Sequence, residues 1–177
     1  MKPQVCLSWS AVIAAVVVSG CQSVRDAPPN PKAVAPVALV TQGSGPAGDY
    51  RVWAFHTSDG WACIEIDSPK AEGYGCDPDG SPPTGGGVAR NAQGVIVHGI
   101  TAEASAVTAV IRDASGATTA SILIEVGPTL PGAKVVIANL GLAANPVAVD
   151  FLDAGGSKVD SAPFPQASRR KAIASRV

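Results

Sequence analysis

Two histidines and a scatter of carboxylates are the groups in this 177-residue chain with the chemistry to move protons or hold a metal. His56 and His98 stand on unrelated segments, so a site would need strands that bring them together with Asp59 or Glu65. Asp77-Pro78-Asp79-Gly80 sets two carboxylates beside a turn glycine, a fragment of what a calcium loop uses. Positions 81 to 87 are Ser, Pro, Thr and Gly, and they add none of the remaining acidic register. A nucleophile elbow of the form Gly-x-Ser-x-Gly, a His-Glu-x-x-His pair, a phosphate loop and a Gly-x-Gly-x-x-Gly between strand and helix are absent from the sequence. The sequence accordingly names no catalytic residue, no cofactor-binding residue and no metal ligand.

The four cysteines divide by location. Lys2 opens the chain, and Val5 to Gly20 is nearly uncharged and rich in Val, Ala and Ile. At about 16 residues it is shorter than the ~20 a helix needs to cross a bilayer, which fits a secretory leader better than a retained span. Val18-Ser19-Gly20-Cys21 closes the run, and polar Gln22, Ser23 and Arg25 follow. This step resembles the lipobox of bacterial lipoproteins. The resemblance implies that the Cys21 thiol receives a diacylglycerol, that the peptide before it is removed, and that the new amine is acylated. Membrane lipid is then the first partner, since two or three acyl chains anchor stably where one binds only marginally. The aspartate that would resemble an inner-membrane retention signal is replaced by Gln22, so outer-membrane sorting is expected if the cell has two membranes.

With Cys6 in the leader and Cys21 carrying lipid, Cys63 and Cys76 remain. In an exported, oxidising setting an even pair separated by a Gly- and Pro-containing loop reads as a disulfide. No third cysteine or nearby histidine pair offers zinc-finger spacing.

The charge is uneven along the chain. The net is −1, but residues 49 to 160 hold 6 basic and 13 acidic groups, and Arg169, Arg170, Lys171 and Arg176 end the chain with +4. An acidic domain of this kind does not suit nucleic acid, which demands a basic face. The basic end suits anionic headgroups, the acidic domain itself, or solvent. The organisation expected is a signal peptide over 1–20, a lipidated Pro/Gly-rich tether over 21–48 in which Val37 to Val40 could form a first edge strand, a β-domain over 49–165 and a basic tail over 166–177.

Aromatic residues make up only 5% of the chain, while 19 glycines and 15 prolines punctuate aliphatic runs. Tyr50 to His56 and Trp61 to Ile66 alternate at period two around Thr57-Ser58-Asp59-Gly60, a hairpin signal. Pairing His56 with Trp61 would put Trp53, Phe55, Ile64 and Ile66 on a core face and His56, Trp61, Cys63 and Glu65 on the other. Further strands are expected at Val95 to Ile100, Ala106 to Arg112, Thr118 to Val126, Lys134 to Leu140, Pro146 to Leu152 and near Lys158. Residues 77–94 read as a long Gly-rich loop. The fold class expected is all-β, an antiparallel immunoglobulin-like β-sandwich of about seven or eight strands with one disulfide. An offset of 40 aligns Val107, Ala109, Ile111, Asp113 and Gly116 with Val147, Val149, Phe151, Asp153 and Gly156, which a shared turn requirement is enough to explain.

Cys63 to Cys76 around a Gly-Tyr-Gly step, the Gly- and Pro-rich loop after it, and Val107-Thr108-Ala109-Val110 before the Asp113 turn give roughly residues 50 to 160 a pattern that resembles small exported β-sandwich proteins of high-GC bacteria, a likeness that brings no activity with it. The reading is a lipid-anchored, non-enzymatic binding or structural module of the cell envelope, with an unidentified envelope protein or ligand as partner. The alternative is an envelope enzyme or ligand carrier with a site near His56, Glu65 and the 77–94 loop.

Overall fold

The structure, a computed structural model, describes residues 31–68 and 71–164, and all of its regular elements are β-strands. Cys21, the leader and the basic tail lie outside the described residues. Strands are numbered in chain order. The first sheet is a meander of β1 (Ala33–Gly43), β2 (Tyr50–Thr57), β3 (Ala62–Ser68) and β4 (Ala71–Asp77). A middle sheet has the order β5 (Gly85–Arg90), β6 (Gly94–Thr101), β10 (Lys134–Gly141), β9 (Ile124–Glu125). The third has the order β12 (Lys158–Pro163), β11 (Pro146–Leu152), β7 (Thr108–Asp113), β8 (Thr118–Ile122). Every pairing is antiparallel.

The all-β expectation holds, and the strand count exceeds it. Eight strands, β5 to β12, form two facing sheets, and β1 to β4 add a further layer. Two of the additional strands come from stretches that composition hides. β1 lies inside the segment read as tether, and β5 lies inside the segment read as a Gly-rich loop. Glycine lowers strand propensity, yet in β5 it serves close packing. A Cβ on Gly86 would come within 2.7 Å of the His98 carbonyl and one on Gly87 within 2.6 Å of the His98 ring.

The middle sheet is buried on both faces, which accounts for the unbroken burial of β6. Toward the first sheet it presents Ile96, Ile100 and Val135, packed with Val52, Ala54, Ala62, Ile64 and Ile66. Toward the third it presents Val95, Val97, Val136 and Ala138, packed with Ala109, Ile111, Val149, Phe151 and Ala162. Side-chain amides tie the layers where the β1–β2 turn arrives. Asn139 accepts from the Ala47 amide at 2.7 Å and donates to the Gly48 carbonyl at 2.8 Å, and Asn91 donates to the Ala47 carbonyl at 2.7 Å. Lys134 is buried because its ammonium has acceptors. It donates to the carbonyls of Ala106 at 2.6 Å and Ala104 at 2.8 Å, which pins the β6–β7 connection to β10.

The β2–β3 hairpin differs from expectation by one residue. Gly60, at φ 84°, donates to the Thr57 carbonyl and Thr57 donates to the Trp61 carbonyl, so the loop is Ser58-Asp59-Gly60 and His56 pairs with Ala62. An odd loop reverses face parity relative to the even one expected. Val52, Ala54, Ile64 and Ile66 therefore face the middle sheet, while Trp53, Phe55 and Cys63 form a separate cluster on the opposite face. Asp113 and Asp153 start turns of the same form, each carboxylate accepting a bond from the amide two residues on. The two repeat copies are neighbours in space. β7 and β11 pair antiparallel with repeat mates Val110 and Asp150 opposite each other, so hairpins β7–β8 and β11–β12 are related by an approximate local two-fold.

Candidate functional site

His56 and Glu65 do not meet. His56 pairs with Ala62 and shares the inner face of the first sheet, whereas Glu65 pairs with Trp53 on the outer face. Asp59 sits in the hairpin turn, where its carboxylate accepts from Lys32. Residues 77–94 are split between the Asp77 turn, β5 and the start of β6. The pair Asp77 and Asp79 orders its own turn, Asp77 accepting from the Asp79 amide at 3.1 Å and Asp79 from the Ser81 amide at 2.9 Å. The bonds from the Ser81 amide and hydroxyl hold the Asp79 carboxyl below its ordinary range. Among the described residues, no three His, Cys, Asp or Glu side chains gather to hold a metal ion.

Cys63 and Cys76 are joined. They stand directly opposite in the β3–β4 ladder with their Cα atoms 4.2 Å apart, and the bond closes a 13-residue separation. Trp53 lies on the same face of the sheet, and its indole N–H is buried with no hydrogen-bond partner among the described residues.

His98 is buried in the middle of β6, on the face that carries Ile96 and Ile100, with Gly87 and Ile137 beside it in register. Burial penalises the imidazolium and lowers its pKa to about 4. The unfolded chain, near 6.5, takes up a proton over the window from pH 6.5 to 4 while the native state does not, so stability falls as pH drops through that window. The shift corresponds to a loss on the order of 3 kcal/mol. Urea midpoints measured between pH 7 and 4 should show this slope in the native sequence and lose most of it in His98→Gln.

The carboxylates with net downward shifts work as struts. Burial pushes Asp150 up, but the Ser161 hydroxyl, Arg112 and Lys158 outweigh it and leave its pKa lowered. Arg112 Nε donates to it at 2.6 Å and the Ser161 hydroxyl at 2.6 Å. This network spans β7, β11 and β12 on the outer side of the third sheet.

A groove of about 330 Å³ opens between the β7–β8 turn and the β10–β11 connection, lined by Ile111, Asp113, Thr119, Leu140, Ala144 and Pro146. Its one carboxylate is committed. Asp113 accepts from the Ser115 and Asn145 amides, which hold its pKa down, and Arg90 reaches across to the Ala144 carbonyl at 2.8 Å and the Asn145 side chain at 3.1 Å. The groove can seat a small apolar group. Sequence reasoning placed Asp113 in a turn, but the 141–145 connection that faces it carries no periodic signal.

No protein-family model matches the chain, and no curated protein or solved structure matches it.

Proposed function

We propose that this chain is a bacterial lipoprotein, held on the extracytoplasmic side of a membrane by acyl chains on Cys21, whose β-domain acts as a non-enzymatic binding or structural module of the envelope. The observation that carries the reading is the conjunction of an apolar leader ending in Val18-Ser19-Gly20-Cys21 with the Cys63–Cys76 disulfide. Structural disulfides persist in oxidising compartments beyond the cytoplasm. Within this reading the eight strands from β5 onward are an immunoglobulin-like sandwich. The orders β5-β6-β10-β9 and β12-β11-β7-β8 support it, since they correspond to A-B-E-D and G-F-C-C′ in that fold. The β1–β4 meander is then an addition to its A-B-E-D sheet.

Metabolic labelling with a palmitate analogue tests the anchor. The native chain should carry label, begin at Cys21 and sediment with membranes, and Cys21→Ala should lose the label and keep the leader. An unlabelled native chain, or label that survives in Cys21→Ala, would overturn the proposal.

A further inference from the structure

We infer that β8 is a docking edge for a second copy of this chain, two β8 strands pairing antiparallel so that the third sheets of two molecules become continuous. The inference concerns a surface of the domain and is independent of how the chain is anchored.

A sheet edge offers unpaired N–H and C=O groups to any passing strand, and proteins blunt such edges with charge, proline, bulges, short strands or a covering segment. The other edges of this fold are blunted. β1 carries Pro36 and two register shifts. β9 is two residues long and includes Glu125. β4 and β5 lie beside each other. β12 combines Lys158, Asp160 and Pro163 with a register shift.

Among the described residues, β8 has none of these devices. Its sequence is Thr118-Thr119-Ala120-Ser121-Ile122, its register with β7 is unbroken, and Ile122 is 80% exposed. The internal repeat supplies a control within the molecule. Moving 40 positions along, Thr118 corresponds to Lys158, Ala120 to Asp160 and Leu123 to Pro163. Two hairpins of the same build thus end in one protected edge and one open edge. The difference resides in the residues that decide whether a strand can be added.

The ladder selects the occupant. Asp113 and Ala117 close the hairpin with a backbone bond, so bonded and unbonded pairs alternate from there, and Thr118, Ala120 and Ile122 turn their N–H and C=O groups outward. These three positions are symmetric about Ala120. Two copies aligned with Ala120 opposite Ala120 use all of the outward groups, making about six backbone bonds. Thr118 of each copy then lies opposite Ile122 of the other, a favourable cross-strand pair. The strand is uncharged, so it offers no ion pair to an acidic or basic peptide, and a second β8 needs none. The contact amounts to roughly half of the ~800 Å² per partner of a standard interface, which makes the dimer dependent on concentration.

Oxidative crosslinking of the full-length chain in intact cells that produce it tests this. Ala120→Cys should run mainly at twice the monomer mass on a non-reducing gel, because the paired Cα atoms of opposed residues lie about 5.5 Å apart, within disulfide reach. Ser115→Cys, at the exposed tip of the adjoining turn, should crosslink at least tenfold less. Adding Thr118→Lys and Ile122→Lys to Ala120→Cys puts lysine opposite lysine twice and should cut the dimer at least tenfold. Thr118→Lys with Ile122→Glu should restore it. Equal yields from Ala120→Cys and Ser115→Cys, no dimer from Ala120→Cys, a product containing a different protein, or failure of the charge swap to restore crosslinking would overturn the proposal.

Discussion

Replacing Phe151 with alanine should cost about 3–5 kcal/mol of folding stability. Phe151 is fully buried on β11, in the cluster that joins the middle and third sheets. The facing position on β6 is Gly99, where an added Cβ would lie 3.0 Å from the Phe151 Cζ and 3.1 Å from methyl groups of both Val136 and Val149. The ring thus occupies the space that a side chain at position 99 would need, and its removal leaves a cavity with a glycine floor. A reciprocal test follows. Gly99→Ala should destabilise the native sequence through overpacking, by about 1–3 kcal/mol, but be neutral or stabilising in Phe151→Ala, where its methyl group partly fills the void. Urea unfolding of the four proteins in this cycle, followed by tryptophan fluorescence, measures the coupling. If the two changes add without interaction, the ring and the glycine are not packed against each other as described.

The same pair shows what the sequence could reveal. Val95 to Ile100 and Pro146 to Leu152 read as strands because apolar runs between turn residues have few other solutions, and the Asp113 and Asp153 turns were legible because Asp at the start and Gly at the left-handed position solve a geometric problem locally. Which glycine lies beneath which ring is set by the stacking of distant strands and leaves no local trace. Hairpin parity at Thr57 to Trp61 failed for a subtler reason. The residues are right for a turn, but whether Trp61 belongs to the loop or the strand depends on one backbone bond, and that choice moved Phe55 and Ile64 to opposite faces. β4 and β5 were invisible because their glycines, which let the layers approach, look like loop composition. The candidate site suffered most. His56 and Glu65 are close in sequence, yet the pleat puts them on opposite sides of a sheet.

Removing the Cys63–Cys76 bond should cost about 3 kcal/mol, the value expected for closing a loop of this length in the unfolded chain. The loss should fall first on β4. Opposite Ile64 and Ile66, β4 supplies Gly75 and Gly73, so at those two positions it brings no side chain to the core that β3 helps to build. At Gly75 the space where a Cβ would sit is bounded by the terminal methyl of Ile100 at 3.4 Å and by Pro83 at 3.7 Å. β4 is also the edge of its sheet, with ladder bonds to β3 alone. Its attachment rests on those bonds, on the neighbouring β5 and on the covalent link near its C-terminal end, so breaking that link favours its local unfolding. Cys63 is fully buried, so Cys63→Ala with Cys76→Ala is a cleaner removal than serine, which would bury a hydroxyl at Cys63. Hydrogen exchange on this double variant should show the amides of Ala71–Asp77 losing protection before those of β6 and β10, with the urea midpoint lowered in parallel. Unchanged protection in β4 would mean that strand pairing alone holds it. Protein made in a reducing cytoplasm should behave like the double variant, and reoxidation should restore the native midpoint, so the compartment in which the chain folds sets the stability of its first sheet.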